Sequence, residues 1–482
     1  MTFYWHDYET WGANPAVDRA AQFAGLRTDA DLNPVGEPLV LYAQPANDML
    51  PQPEACLVTG LSPQRAWAEG LPEADFFRAI HEEMSQPGTC SLGYNSIRFD
   101  DEVTRYGLYR NFFDPYAREW QNGNSRWDLI DVVRLTRALR PEGIVWPTRD
   151  DGTTSFRLSE LTAANGISHA GAHDALADVQ ATIALARLIR QAQPRLFDFC
   201  LTHRDKQYLG AQLNPLAAQP LIHVSARYPA TNGCLAMVLP LAMHPTNKNG
   251  VIVYDLRADP SDVLNLSAEE LHRRLYTATA DLPEGQQRIP LKVVHLNRAP
   301  VVVPANTLTA AAREAWQMDP VVEARHVALL QAEQQTLATK LATVFSIPYP
   351  ERAVDPDADL YSGFLSPADR RLSQQINQAT PAELVGLEPA FKAAKLQTLL
   401  FRYRARNWPE TLSQAEQATW ESYRRARLTD PAVGASITLD VYQTQLSRLA
   451  IDPALTAEQR VLLNALLDWP TQIGLTDAGT DN

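Results

Sequence analysis

The chain has 482 residues, more than one hydrophobic core usually organises, so two or three domains are expected. With 45% hydrophobic and 21% charged residues its composition is that of an ordinary folded protein, which excludes a largely disordered one. A formal net charge of −13 excludes a protein that is basic throughout, but not a nucleic-acid partner: an acidic chain can present a local basic groove, and carboxylates that hold a cation still count as negative in the sum.

The first ten residues, Met-Thr-Phe-Tyr-Trp-His-Asp-Tyr-Glu-Thr, read as an aromatic strand carrying two carboxylates, Asp7 and Glu9. Side chains alternate across a strand, so these two share a face, roughly 6 to 7 Å apart along it. Such a pair can hold one hard cation, or two if further carboxylates arrive from elsewhere in the fold. Residues 22–28 and 38–44 are apolar runs joined by the turn-rich Asp29-Ala-Asp-Leu-Asn-Pro-Val-Gly, the signature of an antiparallel hairpin, so the first three strands form a meander. A helix is expected over 73–84, a short strand from Cys90, and helical periodicity over 99–109. Further helices are expected over 127–139, stopped by Pro141, over 158–164, closed by Asn165-Gly166, and over 174–193, stopped by Pro194. Strands followed by helices imply an α/β mixed sheet with helices on its faces.

From about residue 200 the texture changes. Segments 220–228, 233–243, 250–256 and 291–303 are β-rich, Asn247-Lys-Asn-Gly is a hairpin turn between the second and third, and one inserted helix is expected over 268–277. Residues 308–345 read as helical, 346–363 as a Pro- and Asp-rich linker, and the remainder to about 468 as helical, with the last dozen residues polar and frayed. The longest apolar run, 234–243, is interrupted by Pro240 and falls far short of the roughly 20 residues that span a membrane. The first residues lack the basic start and apolar core of a signal peptide, so a cytoplasmic location is expected. Cys56, Cys90, Cys200 and Cys234 are scattered without Cys-x-x-Cys spacing, which argues for reduced, buried thiols and against structural zinc.

Two further stretches can add to the Asp7 and Glu9 pair. In Gly93-Tyr-Asn-Ser-Ile-Arg-Phe-Asp-Asp-Glu a strand ends and a helix begins: Asp101 is placed to cap that helix, while Asp100, following Phe99, is expected to face inward. In Ala172-His-Asp-Ala-Leu-Ala-Asp-Val, Asp174 is placed as the cap of the longest helix, and Asp178 lies within it among apolar neighbours, where an acid has little structural purpose. His173 stands five residues before Asp178, about 140° away were both helical, and so belongs to the loop before the helix.

Taken together, Asp-x-Glu near the start, an aspartate after roughly a hundred residues and then His-x4-Asp resemble the DEDDh exonuclease pattern. Asp7-Tyr-Glu-Thr, Gly93-Tyr-Asn, Arg98-Phe-Asp-Asp-Glu-Val-Thr-Arg, Ser125-Arg-Trp-Asp-Leu, Arg140-Pro-Glu-Gly-Ile, Ser155-Phe-Arg-Leu, Ala172-His-Asp-Ala and the distant Phe401-Arg-Tyr-Arg-Ala-Arg-Asn-Trp-Pro are similar to the bacterial exodeoxyribonuclease I family, over nearly the whole chain. The resemblance implies a ribonuclease H-like exonuclease domain over 1–193, an SH3-like β module with inserted helices over 194–350 and a helical C-terminal domain over 351–482. It implies 3′ to 5′ hydrolysis of single-stranded DNA to mononucleotides, processive, in DNA repair and recombination, by a monomer. Asp7, Glu9, Asp100 and Asp178 would hold two Mg²⁺ ions, with Mn²⁺ as a substitute, and His173 would be the general base. Thr10 and Asn95 would position the terminal nucleotide, Glu9 and Arg157 would contact substrate, and Arg105, Tyr116, Trp120 and Arg134 would lie along the strand, arginine tracking phosphates and aromatic rings stacking on bases; the alternative is that Tyr116 and Trp120 are core and Arg134 a solvated helix face. The C-terminal tail of single-stranded DNA-binding protein is the implied protein partner. The arginines at 402, 404, 406, 424, 425 and 427 read as a solvated face with the spacing of a basic stripe. The rival readings are a DEDDh exoribonuclease and a non-catalytic single-strand DNA-binding protein.

Overall fold

The aromatic start of the chain forms β1 (Thr2–Thr10), buried on both faces: Phe3, Tyr4, Trp5 and Tyr8 are each at most 4% exposed. The computed structural model describes residues 1–169, 171, 173–348 and 354–476; Ala172 of the third motif, part of the expected linker and the last six residues of the expected frayed end lie outside them. β2 (Ala20–Thr28) pairs antiparallel with β1, and β3 (Leu39–Tyr42) antiparallel with β2, giving the expected meander. β4 (Thr89–Gly93) runs parallel to β1 on its other side, and β5 (Ser125–Asp128) completes a mixed sheet of order β3-β2-β1-β4-β5.

Two helices, α1 (Pro53–Thr59) and α2 (Pro63–Glu69), are missing from the sequence reading; at 7 residues each they are too short to display a helical period. Each opens on a proline, whose missing N–H costs nothing in a first turn. α3 (Glu73–Met84) buries Phe76, Phe77, Ile80 and Met84 against Tyr4, Tyr8 and Phe23, and α4 (Asp100–Arg110) follows β4. α5 (Leu129–Leu139) begins later than its periodicity suggested. Trp127 belongs to β5, and Asp128 caps the helix by accepting the Ile130 N–H at 3.0 Å. α6 (Leu158–Ala164) and α7 (Ala175–Ala192) match the expected helices.

The chain divides into two compact units, one formed by 1–126, 169–183 and 352–482, the other by 127–168 and 184–351. In the first, the C-terminal helices share a core with the start of the chain: Leu428, Tyr442, Leu446 and Leu466 pack with Trp11, Cys56, Leu61 and Ala66. The second holds an antiparallel sheet of order β10-β6-β7-β8-β9, built from β6 (Leu221–Val224), β7 (Leu235–Met243), β8 (Gly250–Asp255), β9 (Leu291–His295) and β10 (Val302–Pro304). The 291–303 run is therefore two strands, broken at a 3-10 turn, Leu296–Arg298, after which Ala299 takes a left-handed φ of 41°. Pro240 sits inside β7, where it can donate no ladder bond, and the β7–β8 register shifts there. The inserted helix expected over 268–277 is found as Ala268–Tyr276, and a short helix missing from the sequence reading, Ser261–Asn265, precedes it.

The C-terminal arginines correct the sequence reading most. Arg402, Arg404, Arg424 and Arg427 are at most 6% exposed, and they form neither a solvated face nor an open stripe. Arg406 reaches Asp48 and Asp357 at 2.7 and 2.6 Å, and Arg402 reaches Asp355 and Asp357 at 2.7 and 3.0 Å. The aspartates read as a linker are thus partners of a buried ion network. Among the described residues no helix is long and apolar enough to cross a membrane, and the four cysteines are buried and unpaired.

Candidate active site

Three elements of the first unit carry the predicted acids. Asp7 and Glu9 lie on one face of β1, opposite Ala24 and Gln22 of β2 in the antiparallel register. Gln22, 1% exposed, fixes the third element: its Nε2 donates to Asp174 at 3.1 Å and its Oε1 accepts the Ala175 N–H at 3.2 Å, docking the start of α7 onto the sheet. Asp174 accepts the N–H groups of Leu176 and Ala177 at 3.2 and 3.3 Å, the expected cap. One turn on, Asp178 faces Glu9 and His173, and one ligating atom from each of these three lies within 4.8 Å of the others.

The second element brings Asp100. Its Oδ1 accepts the Tyr8 backbone N–H at 3.1 Å, so a 3% exposed carboxylate is held against β1 itself. The approach is tight because Gly93 ends β4 where any Cβ would meet the His6 carbonyl oxygen at 2.6 Å. Asp101 does not cap α4. It is 2% exposed and clamped by Arg118 at 2.6 Å and Arg126 at 2.7 Å, and so braces the helix that presents Asp100.

The electrostatics of the cluster are unfavourable as they stand. Burial raises Asp7 well above the ordinary carboxylate value, and Asp100, Glu9, Asp178 and Asp174 raise it further. Burial likewise pushes Glu9 up to about 8, with Asp178, Asp100 and Asp174 adding to it. The charges acting most strongly on both groups are other carboxylates, so the cluster lacks positive charge. An all-oxygen donor set with an imidazole at its edge suits a hard divalent cation that would supply it.

His173 is exposed at the loop before α7, with a left-handed φ of 71°, uncommon for a residue with a side chain. A second histidine escaped the sequence reading: His169, whose side chain is 7% exposed, has its Nε2 in hydrogen-bond contact with Asp178 Oδ1. Its only sequence signal is its place four residues before His173. Thr10, 9% exposed, donates its hydroxyl to the Gly12 carbonyl at 2.7 Å, and Asn95 takes a left-handed φ of 66° at the end of β4.

The residues expected along the strand fall in two places. In the first unit, Arg105 is buried and its guanidinium is committed to Glu119 at 2.7 Å, to Glu102 at 2.8 Å and to the Tyr361 hydroxyl at 3.1 Å. It lies over the ring of Tyr116, which meets Phe364 edge-on at 6.0 Å, while Trp120 is 66% exposed. In the second unit, Arg134 pairs with Asp131 at 2.5 Å and Arg157 with Glu160 at 3.2 Å, the Arg157 side chain being 75% exposed.

The chain matches known families along most of its length. Residues 4–186 match the family model described as Exonuclease, 204–347 the Exonuclease I SH3-like domain, and 354–473 the Exonuclease I C-terminal domain. The chain is 46% identical to exodeoxyribonuclease I of Escherichia coli (strain K12) over 473 residues, 98% of each chain. Among solved structures it is similar to a moderately thermophilic exonuclease I from Methylocaldum szegediense, at 51% identity and a TM-score of 0.94, covering 98% of this chain and 100% of that one. It is also similar to the zinc-bound E. coli enzyme in complex with single-stranded DNA, at 45% identity and a TM-score of 0.93, covering 98% and 99%. A relative this similar over nearly its full length, together with family models spanning all three segments, means that the chain belongs to the exonuclease I family of exodeoxyribonucleases.

Proposed function

We propose that the protein removes mononucleotides from the 3′ end of single-stranded DNA, processively, in DNA repair and recombination in the cytoplasm. The observation that carries this reading is the convergence of Asp7, Glu9, Asp100 and Asp178, whose mutual repulsion makes the cluster a cation receptor. These four side chains would hold two Mg²⁺ ions, with Mn²⁺ able to replace them. The bound ions supply charge that offsets the developing negative charge on the attacking and leaving oxygens. His173 accepts the proton of the attacking water as its oxygen bonds to phosphorus, and the 3′ oxygen of the shortened strand leaves. Imidazole is a general base suited to that task. Its position on a loop lets it approach once a strand is seated.

Glu9, Thr10, Asn95 and Arg157 would position the terminal nucleotides. Trp120 and Tyr116 would stack on bases, and Arg105, its own donors occupied, would anchor Tyr116. Arg134 would contact the strand in the second unit. The protein would act as a monomer, recruited by the C-terminal tail of single-stranded DNA-binding protein.

The test is digestion of a 5′-labelled single strand. Mg²⁺-dependent shortening from the 3′ end, stopped by EDTA, is expected. Equal digestion of an RNA of the same sequence would make the protein an exoribonuclease, and binding without cutting would leave it a strand-binding protein.

A further inference from the structure

The second unit contains a pocket of about 530 Å³ whose walls are unusually cationic, with Arg134, Arg149, Arg157 and Arg227 grouped around Phe156 and Tyr228. Among the described residues two of the four arginines are held in ion pairs: Arg134 with Asp131 and Arg157 with Glu160. Arg149 and Arg227 are exposed and make no ion pair among the described residues; the Asp151 and Glu160 carboxylates feel the charge of Arg149 without closing on it. Arg134, 7% exposed, also keeps a buried Nε with no hydrogen-bond partner among the described residues. A buried donor left unpaired costs stability unless a ligand satisfies it.

Both exposed arginines stand on built turns. The 147–155 loop folds back on itself, with a Thr148 to Thr154 bridge, an Arg149 N–H to Thr153 carbonyl bond of 2.8 Å and a Ser155 N–H to Pro147 carbonyl bond of 2.9 Å. Arg137 ties that loop to α5 through the Thr154 hydroxyl at 3.0 Å. In the 225–234 turn, Ser225 Oγ accepts the Arg227 N–H at 3.2 Å, and the next side chain, Tyr228, is anchored by its hydroxyl on His223 at 3.0 Å. The turn closes where the Ser225 N–H donates to the Cys234 carbonyl at 2.9 Å, with Cys234 at a left-handed φ of 55°. Two preordered arms thus present exposed guanidinium groups, neither held in a close ion pair, over aromatic walls, the combination that holds a phosphodiester between stacked bases.

We infer that Arg149 and Arg227 form a strand-binding subsite of the second unit, in which they hold a backbone phosphate of single-stranded DNA and the unpaired Arg134 Nε supplies a further donor. The subsite rests on the strand-digesting function proposed above and adds two residues to it. Its contribution is electrostatic, so it registers in the salt dependence of binding. Each phosphate contact to a single strand contributes about 0.7 to the slope of log affinity against log salt.

The experiment measures binding of a fluorescent 20-nucleotide oligothymidylate to the full-length protein in EDTA, from low to moderate salt, for wild type, Arg149→Gln/Arg227→Gln and Arg149→Lys/Arg227→Lys. The double glutamine variant is expected to bind more weakly at low salt with a slope shallower by about 1.4, and the double lysine variant to recover most of it. Hydrolysis of the oligothymidylate and of a dinucleotide by wild type is followed separately in Mg²⁺. An unchanged slope in the glutamine variant, or a slope that lysine does not recover, overturns the subsite. So does displacement of the wild-type strand by an acidic peptide no more weakly than by inorganic phosphate. Failure of wild type to cut either substrate would instead remove the function on which the subsite rests.

Discussion

Two dense clusters of charge lie within the same compact unit, and they are opposites. Around Arg406, the carboxylates of Asp48 and Asp357 are 1% and 5% exposed, yet every one of them meets a guanidinium. Burial pushes Asp357 up, but Arg406, Arg19 and Arg402 outweigh it and hold the carboxyl well below its ordinary range. Around β1, carboxylates that are buried or half-buried face one another, and Asp7 and Glu9 are pushed up. Burial alone therefore does not separate a structural charge from a functional one. Pairing does: a matched cluster is complete within the fold, whereas an unmatched one is complete only when something else arrives.

The sharpest way to break this contrast is to alter one carboxylate in each cluster. Asp100→Asn keeps an acceptor for the Tyr8 N–H and removes a like charge, so stability in EDTA should hold or rise while activity falls by more than the about 10- to 100-fold that loss of a ligand's hydrogen-bond partner costs. Parallel urea melts and strand-digestion rates check this; an active variant would remove Asp100 from the site. Asp357→Asn should do the reverse. It leaves Arg402 and Arg406 buried without their shared partner, at a cost of about 3 to 5 kcal/mol, while the folded fraction digests DNA at close to the wild-type rate. A urea midpoint unmoved by this change would show that the network contributes little.

The contrast also explains what could be seen in the sequence. Asp7 and Glu9 stood out because a strand has a strict period of two and acids have no place in an aromatic one. Asp178 stood out for the same kind of reason on a helix. The arginine network did not, because Arg406 and Asp48 are separated by 358 residues and no local pattern links them. Residues 355–357 then looked like linker, since their proline and aspartates are also turn formers. Asp101 was read as a helix cap because a cap is the commonest use of an aspartate there, and its two arginine partners lie 17 and 25 residues on. His169 and Gln22 act by holding other residues, and that role depends on tertiary contacts a single sequence does not display.

His169 gives a smaller test of the same idea. Its imidazole meets Asp178 within the unmatched cluster, where orienting a carboxylate is what it can do. His169→Gln, which keeps a donor on a side chain of different reach, should reduce activity and Mg²⁺ affinity together by about 10- to 100-fold. His169→Ala should do so more strongly, with the metal dependence shifted to higher concentration. A fall in rate at unchanged metal dependence would assign His169 to something other than holding Asp178.

The least dramatic effect follows from pH, and it reads both clusters in one titration. Burial raises Asp48, but Arg406, Arg19 and Arg427 outweigh it, so its folded pKa lies below the unfolded value of about 3.9. Its stabilisation, like that of Asp357, is present above that unfolded value and is lost as pH falls through the folded one. Glu9 has the opposite sign. Its folded pKa of about 8 exceeds its unfolded value, so its contribution is complete in acid and is lost as pH rises through about 8. In EDTA, Tm should therefore climb as pH is lowered from 9 toward 5 and fall again below about 4. Mg²⁺ replaces the proton in the carboxylate cluster and should lift only the alkaline limb, by about 2.7 kcal/mol at a hundred times its Kd. Asp100→Asn should flatten that limb, since one of the charges raising Glu9 is gone, and leave the acid limb as it was. Differential scanning calorimetry across this range decides it, because a Tm in EDTA that is flat from pH 5 to 9 would mean the β1 carboxylates carry no stored repulsion for a cation to relieve.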